Sequence, residues 1–139
     1  MRAEQPAAVK ALETDMESQK LKYSIQEHNA THLHWDLRLE HNGIAKSWAI
    51  PKKPEFSASE KHLLIEVENH DLGYMEFEGT IQEGQYGAGT VKLFDSGHYV
   101  PLDIKEDRKW IISLYGRRLE GEFVLLHFKD RNWLMWKRG

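Results

Sequence analysis

Between Leu33 and Glu40 every second residue is apolar: Leu33, Trp35, Leu37 and Leu39 alternate with His34, Asp36, Arg38 and Glu40. Successive side chains on an extended backbone point to opposite faces, so this period of two over eight residues marks a β-strand. Asn42-Gly43 follows directly. That pair is the strongest short hairpin signal, because a tight turn between strands needs positive φ at its central residues. The return strand is expected over 44–50, stopped by Pro51-Lys52-Lys53-Pro54.

The same grammar runs through most of the chain. A first strand is expected over 23–26 and another over 62–68, where Leu63, Ile65 and Val67 alternate with His62, Leu64, Glu66 and Glu68. Residues 90–94 read as a strand, Asp95-Ser96-Gly97 as a turn, and 110–115, 119–128 and 133–137 as three further strands. About eight short strands in 139 residues predict an all-β fold, a compact closed β-barrel spanning residues 21–139, because closure removes vulnerable sheet edges. Residues 1–20 are rich in Ala, Glu, Lys and Met with weak helical spacing, and are expected to form a short N-terminal helix or arm. The tryptophans fall mostly at strand positions and are expected in the core; Trp133 and Trp136 have opposite parity, so one of them is expected at the surface.

Composition narrows the chemistry. The chain has no cysteine, which excludes thiolate zinc sites, thiol nucleophiles and disulfides, and suits a reducing cytoplasm. No apolar run approaches a membrane span, and the N-terminus lacks the apolar core of a signal peptide. The net charge of -3 argues against a protein that coats duplexes through many cationic phosphate contacts. Eight histidines are the best transition-metal ligands available.

Strand parity then sets up a site. His34, Asp36 and Arg38 must share one face, with Leu33, Trp35, Leu37 and Leu39 buried behind them. His-x-Asp offers one nitrogen and one oxygen to a divalent ion, although such a pair is also a common surface motif. Arg38 would reach a phosphate oxygen at that ion, and His28, placed in the loop entering the strand, would close the site from the side. The cluster His70-Asp71-Leu72-Gly73-Tyr74 stands at a turn. There His70 can be read as a third ligand, a phosphate donor or a general acid, and Tyr74 as a donor to an anionic oxygen; the plain alternative is a capped turn. Lys52 reads either as an anion contact or as a solvated loop residue. The glycine run 83–90 lacks the G-x-x-x-x-G-K-[ST] pattern and reads as structural, where the barrel turns a corner.

Taken in order, the segments 26–40 (Gln-Glu-His-Asn-Ala-Thr-His-Leu-His-Trp-Asp-Leu-Arg-Leu-Glu), 46–52, 66–74, 77–81 and 83–91 resemble the 3′-phosphoesterase domain of bacterial DNA ligase D. The likeness covers roughly residues 23–139. It implies a β-barrel enzyme that uses manganese and removes a 3′-terminal ribonucleoside or 3′-phosphate to leave a 3′-hydroxyl. It also implies that His28, His34 and Asp36 are metal ligands, that Arg38, His70 and Tyr74 hold or activate the scissile phosphate, and that Lys52 adds a basic contact. The implied partners are DNA or DNA–RNA 3′ ends, with a ligase and polymerase acting in trans, and the expected state is a monomer.

The chain resembles a stand-alone version of the domain, of the kind found in archaea and some bacteria, or an excised one. It departs from the bacterial pattern at His62, where many members have arginine, and in its first twenty residues, which lack the acidic and arginine contacts of the bacterial domain. Both departures bear on the balance between diesterase and monoesterase activity. Two rivals stand beside this reading: an iron oxygenase using His34, Asp36 and His70 as a facial triad, and a non-catalytic module that binds 3′ ends.

Overall fold

Asn42 and Gly43 carry φ of 52° and 82°, and the hairpin they close is the first corner of the fold. The structure, a computed structural model, describes residues 20–57 and 60–138. The helix or arm expected over 1–20 therefore lies outside the described residues, apart from Lys20. The strands are β1 (Leu21–Asn29), β2 (Leu33–His41), β3 (Ile44–Ile50), β4 (Lys61–His70), β5 (Gly79–Ile81), β6 (Gly89–Lys105), β7 (Lys109–Gly116), β8 (Glu120–Lys129) and β9 (Asn132–Lys137). Among the described residues one 3₁₀ helix, Leu72–Glu76, follows β4.

The pairing order is β1-β2-β3-β4-β9-β8-β7-β6, and β6 pairs back onto β1. This closes an eight-stranded antiparallel barrel, as the strand count predicts. The short β5 is an extra strand, laid against the start of β6. Inside, Trp48 meets Trp110 and Trp133 edge to face, with ring centroids 5.4 and 5.5 Å apart. Trp133 is fully buried while Trp136 is only partly so, which answers the parity question. Tyr23, Ile25, Leu37, Leu39, Ile112, Leu114, Phe123 and Leu125 fill the remaining core.

Two expectations fail, each for a physical reason. Leu33 is not buried behind the histidine face: it is 48% exposed, because β2 starts at the barrel rim. Asp95-Ser96-Gly97 is not a turn, since β6 runs unbroken through it. At that point Ile25 pairs with Asp95 and Gln26 with Leu93, which leaves Phe94 as the extra residue of a β-bulge. The buried Asp95 carboxylate anchors the bulge. It accepts hydrogen bonds from the Tyr23 hydroxyl (2.8 Å) and from the backbone N–H groups of Ser96, Arg117, Arg118 and Leu119 (2.8–3.0 Å).

Asp95→Ala would orphan those donors in the interior. It should lower the unfolding free energy by about 3–5 kcal/mol in a denaturant titration, since each stranded buried donor costs about 1–3 kcal/mol. A second prediction concerns His127, which stacks on Trp133 and directs both ring nitrogens at carbonyl oxygens, Nδ1 to Asp107 (2.7 Å) and Nε2 to Asp130. A carbonyl only accepts, so both bonds form when the ring is an imidazolium, and these carbonyls raise its pKa. Its contribution to stability is therefore complete below the unfolded value of about 6.5 and fades as pH rises through the higher folded value. The stability difference between wild type and His127→Gln should shrink between pH 6 and 8.

Candidate active site

The site lies on the outer wall of the barrel. In β1 the alternation that sends Tyr23 and Ile25 inward turns Ser24, Gln26 and His28 outward. In β2 the outward residues are His34, Asp36 and Arg38, and in β3 they are Ala45, Ser47 and Ala49. Outward here does not mean exposed: Gln26, His28, Asp36, Arg38 and Ser47 are all buried. The 3₁₀ helix and the segment leading to β6 cover them, and Gln26 Nε2 fastens that cover by donating to the carbonyls of Tyr74 (2.8 Å) and Phe77 (3.0 Å). What remains open is a cavity of about 630 Å³, lined by the imidazoles, Asp36, Arg38, His70 and Tyr74 among others.

His28, His34 and Asp36 each turn one donor atom toward the others, all within 4.8 Å of one another. Opposite Asp36 lie His28 Nδ1 at 3.4 Å and His34 Nε2 at 3.3 Å. The far nitrogen of each ring is tied to the backbone: His28 Nε2 donates to the Gly87 carbonyl (2.7 Å) and His34 Nδ1 to the His32 carbonyl (3.0 Å). With the far nitrogen of each ring donating to a carbonyl, the nitrogen facing Asp36 donates to the carboxylate when it carries a proton and offers a lone pair to a metal when it does not. This is how imidazoles are oriented to hold a metal, and two nitrogens with one carboxylate suit a divalent transition ion with positions left open. Burial would push the Asp36 carboxyl up, yet hydrogen bonds to His28 and His34 and the Arg38 guanidinium hold it well below the usual carboxylate range. The Asp36 hydrogen bond raises His34, against the effect of its partial burial. Among the described residues the third donor beside His34 and Asp36 is thus His28, rather than the His70 of the facial-triad reading.

Arg38 is the buried cation of the site. Its Nε donates to Gln26 Oε1, Nη1 donates to Ser47 Oγ (2.7 Å), and Nη2 lies 3.6 Å from Asp36. Its guanidinium also lies over the Tyr74 ring, 4.9 Å from the centroid. Burial pulls its pKa down and Asp36 pulls it back, but an arginine keeps its charge in either case. The His70 ring stacks on Tyr74 at 4.5 Å, and Tyr74 on Phe77 at 5.1 Å. Burial and then Arg38 lower the pKa of His70, so its free imidazole is mainly neutral at pH 7. Burial raises Tyr74, keeping its hydroxyl a donor.

Comparison with known proteins fits this geometry. The model of the DNA ligase D 3′-phosphoesterase domain matches residues 26–127. The chain belongs to this family. It is 40% identical over 123 residues to the multifunctional non-homologous end joining protein LigD of Mycolicibacterium smegmatis, covering 81% of this chain and 16% of that protein. It is 41% identical over 125 residues to the LigD of Pseudomonas aeruginosa (84% and 15%), and 41% over 115 residues to that of Mycobacterium bovis (81% and 15%). The chain thus spans about a sixth of the length of the LigD relatives it matches.

Against the sequence reading, three placements differ. His28 is not in a loop; it is on β1, paired with His34 across the β1–β2 ladder, with ring centroids 4.8 Å apart. Lys52 does not line the main cavity. It is exposed and lines an adjacent groove with Lys53, Glu60 and Lys61. His62 also faces that groove's interior, buried, with Nε2 near Glu60 Oε1 (2.8 Å) and the Glu55 carbonyl (3.0 Å), so it is a packing residue away from Asp36 and Arg38. Gln26 and Ser47 were not singled out by sequence, although their parity and their registers opposite Asp36 and Arg38 placed them on this face.

Gln26→Leu keeps the volume but strands the Arg38 Nε–H and the Phe77 carbonyl and removes one of two bonds to the Tyr74 carbonyl. It should cost about 2–4 kcal/mol in chemical denaturation. Faster amide hydrogen exchange over residues 72–77 would accompany the loss.

Proposed function

We propose that the chain is a manganese-dependent 3′-end-healing phosphoesterase, which removes 3′-terminal ribonucleosides and 3′-phosphates from nucleic-acid ends to leave 3′-hydroxyls during DNA repair. The observation that carries this reading is the pair of imidazoles, each anchored through its far nitrogen to a backbone carbonyl, that face Asp36 beside a buried arginine. His28, His34 and Asp36 would hold the metal, which when bound supplies Lewis-acid stabilisation of a phosphate oxygen. Family membership and the name of the LigD relatives, non-homologous end joining, support a place in end processing, with a ligase and polymerase as partners.

The reaction is phosphoryl transfer to water, in which catalysis is positioning and charge neutralisation. An O–P bond forms from water, which gives up a proton to solvent, as the bond to the leaving oxygen breaks. Arg38, fixed by Gln26 and Ser47, neutralises charge growing on the equatorial oxygens. Tyr74 donates to one of those oxygens and holds the His70 ring by stacking. His70 is neutral in the free site, but an anionic phosphate beside it favours the imidazolium, which then gives its proton to the leaving oxygen. Lys52 acts from the adjacent groove as a contact to the polynucleotide backbone.

The test is a labelled primer-template ending in one ribonucleotide, and a second ending in 3′-phosphate, each with and without manganese. Conversion to a 3′-hydroxyl is expected only with the metal. His34→Ala and Asp36→Asn should abolish it while retaining a cooperative unfolding transition. Arg38→Lys should lower kcat about 10²–10³-fold. Near-normal turnover by His34→Ala or Asp36→Asn would overturn the site assignment.

A further inference from the structure

One wall of the cavity is left unused by the phosphate chemistry. It is apolar: Leu33, Pro51, Ile65 and Ile81 line the same cavity as the His28–Asp36–Arg38 cluster. At its rim stands Tyr86, which is 80% exposed although it is one of the largest side chains near the site. Tyr86 is carried on the 82–88 loop between β5 and β6, a loop that is built rather than loose. Its ends are paired through Gly79–Val91, Thr80–Thr90 and Ile81–Gly89. Inside it, Gln85 N–H donates to Gln82 O (3.2 Å) and Ala88 N–H to Gln85 O (3.1 Å). The next residue, Gly87, accepts the His28 Nε2 bond, so Tyr86 is one residue from an anchor of the donor cluster.

A phosphate fills only a small part of 630 Å³, and whatever is esterified to it must occupy the rest. We infer that Tyr86 and the apolar wall of Leu33, Ile65 and Ile81 form a nucleoside subsite, in which the base joined to the bound phosphate stacks on the Tyr86 ring. This rests on the phosphoesterase reading and names the part of the substrate that the site grips besides phosphorus. The wall offers carbon surface rather than donors and acceptors matched to a base edge, so the subsite accepts any base by its π-face. Tyr86 is a binding residue here, and its effect falls on KM rather than kcat.

The experiment uses primers carrying a 3′-phosphate on a terminal nucleotide that has either 2-aminopurine or no base. On the 2-aminopurine primer, Tyr86→Ala should raise KM about 5- to 150-fold with kcat little altered, the range that loss of one base–aromatic stack gives. Tyr86→Phe should restore most of the affinity. On the abasic primer the KM penalty of Tyr86→Ala should shrink several-fold. Binding of the same primer should quench 2-aminopurine fluorescence with wild type and less with Tyr86→Ala. An equal penalty on both primers, or none on either, would overturn the subsite. Should wild type release no phosphate at all, the phosphoesterase reading fails, and the fluorescence arm decides the subsite alone: quenching that depends on Tyr86 supports it, and quenching indifferent to Tyr86 rejects it.

Discussion

The bulge at Phe94 is the constraint on which the rest of the barrel depends. Before it, Val91 and Leu93 pair with His28 and Gln26 on the outer wall; after it, Asp95, Gly97 and Tyr99 pair with Ile25, Tyr23 and Leu21 on the inner one. One extra residue thus lets a single seventeen-residue strand serve the site at its start and the core at its end. Asp95 holds the change of phase in place, and the packing is so close there that a Cβ on Gly116 would sit 2.4 Å from its carboxylate. Without the bulge the ladder could still run on, but the residues on one side of it would face the wrong side of the barrel.

Closure in turn makes β1 a doubly paired central strand, and the outer face of such a strand is a poor place for polar groups unless they are bonded to one another. Gln26 solves this by spending both ends of its amide, the oxygen on Arg38 and the nitrogen on the 3₁₀ helix. The cover over the site and the cation within it are therefore one hydrogen-bonded unit.

Much of this was legible in the chain. The alternation over 33–40 and the Asn42-Gly43 turn were enough to put His34, Asp36 and Arg38 on one face. His28, His70 and Tyr74 were candidates from their own positions and again from the likeness to ligase D domains, and the fold brings all three to the same cavity. Less legible were features that local pattern does not encode. Asp95-Ser96-Gly97 has turn composition, yet its aspartate is consumed by donors more than twenty residues away. Leu63 and Leu64 are equally apolar, and only closure decides that Leu64 is buried and Leu63 exposed. The glycine run was read as a corner, but one of its carbonyls orients His28. A backbone acceptor has no residue type, so sequence cannot announce it.

Strand β2 has chemistry on one side and core on the other, Asp36 and Arg38 against Leu37 and Leu39. Adding or losing one residue inside it would exchange the two sides, burying charge in the tryptophan core and setting leucines among the imidazoles. The strand therefore tolerates length changes only in steps of two, or at its ends. Over evolutionary time the segment should behave as a fixed frame: free to trade side chains within a face, closed to insertion between them, with variation in length confined to the loops beyond the rim.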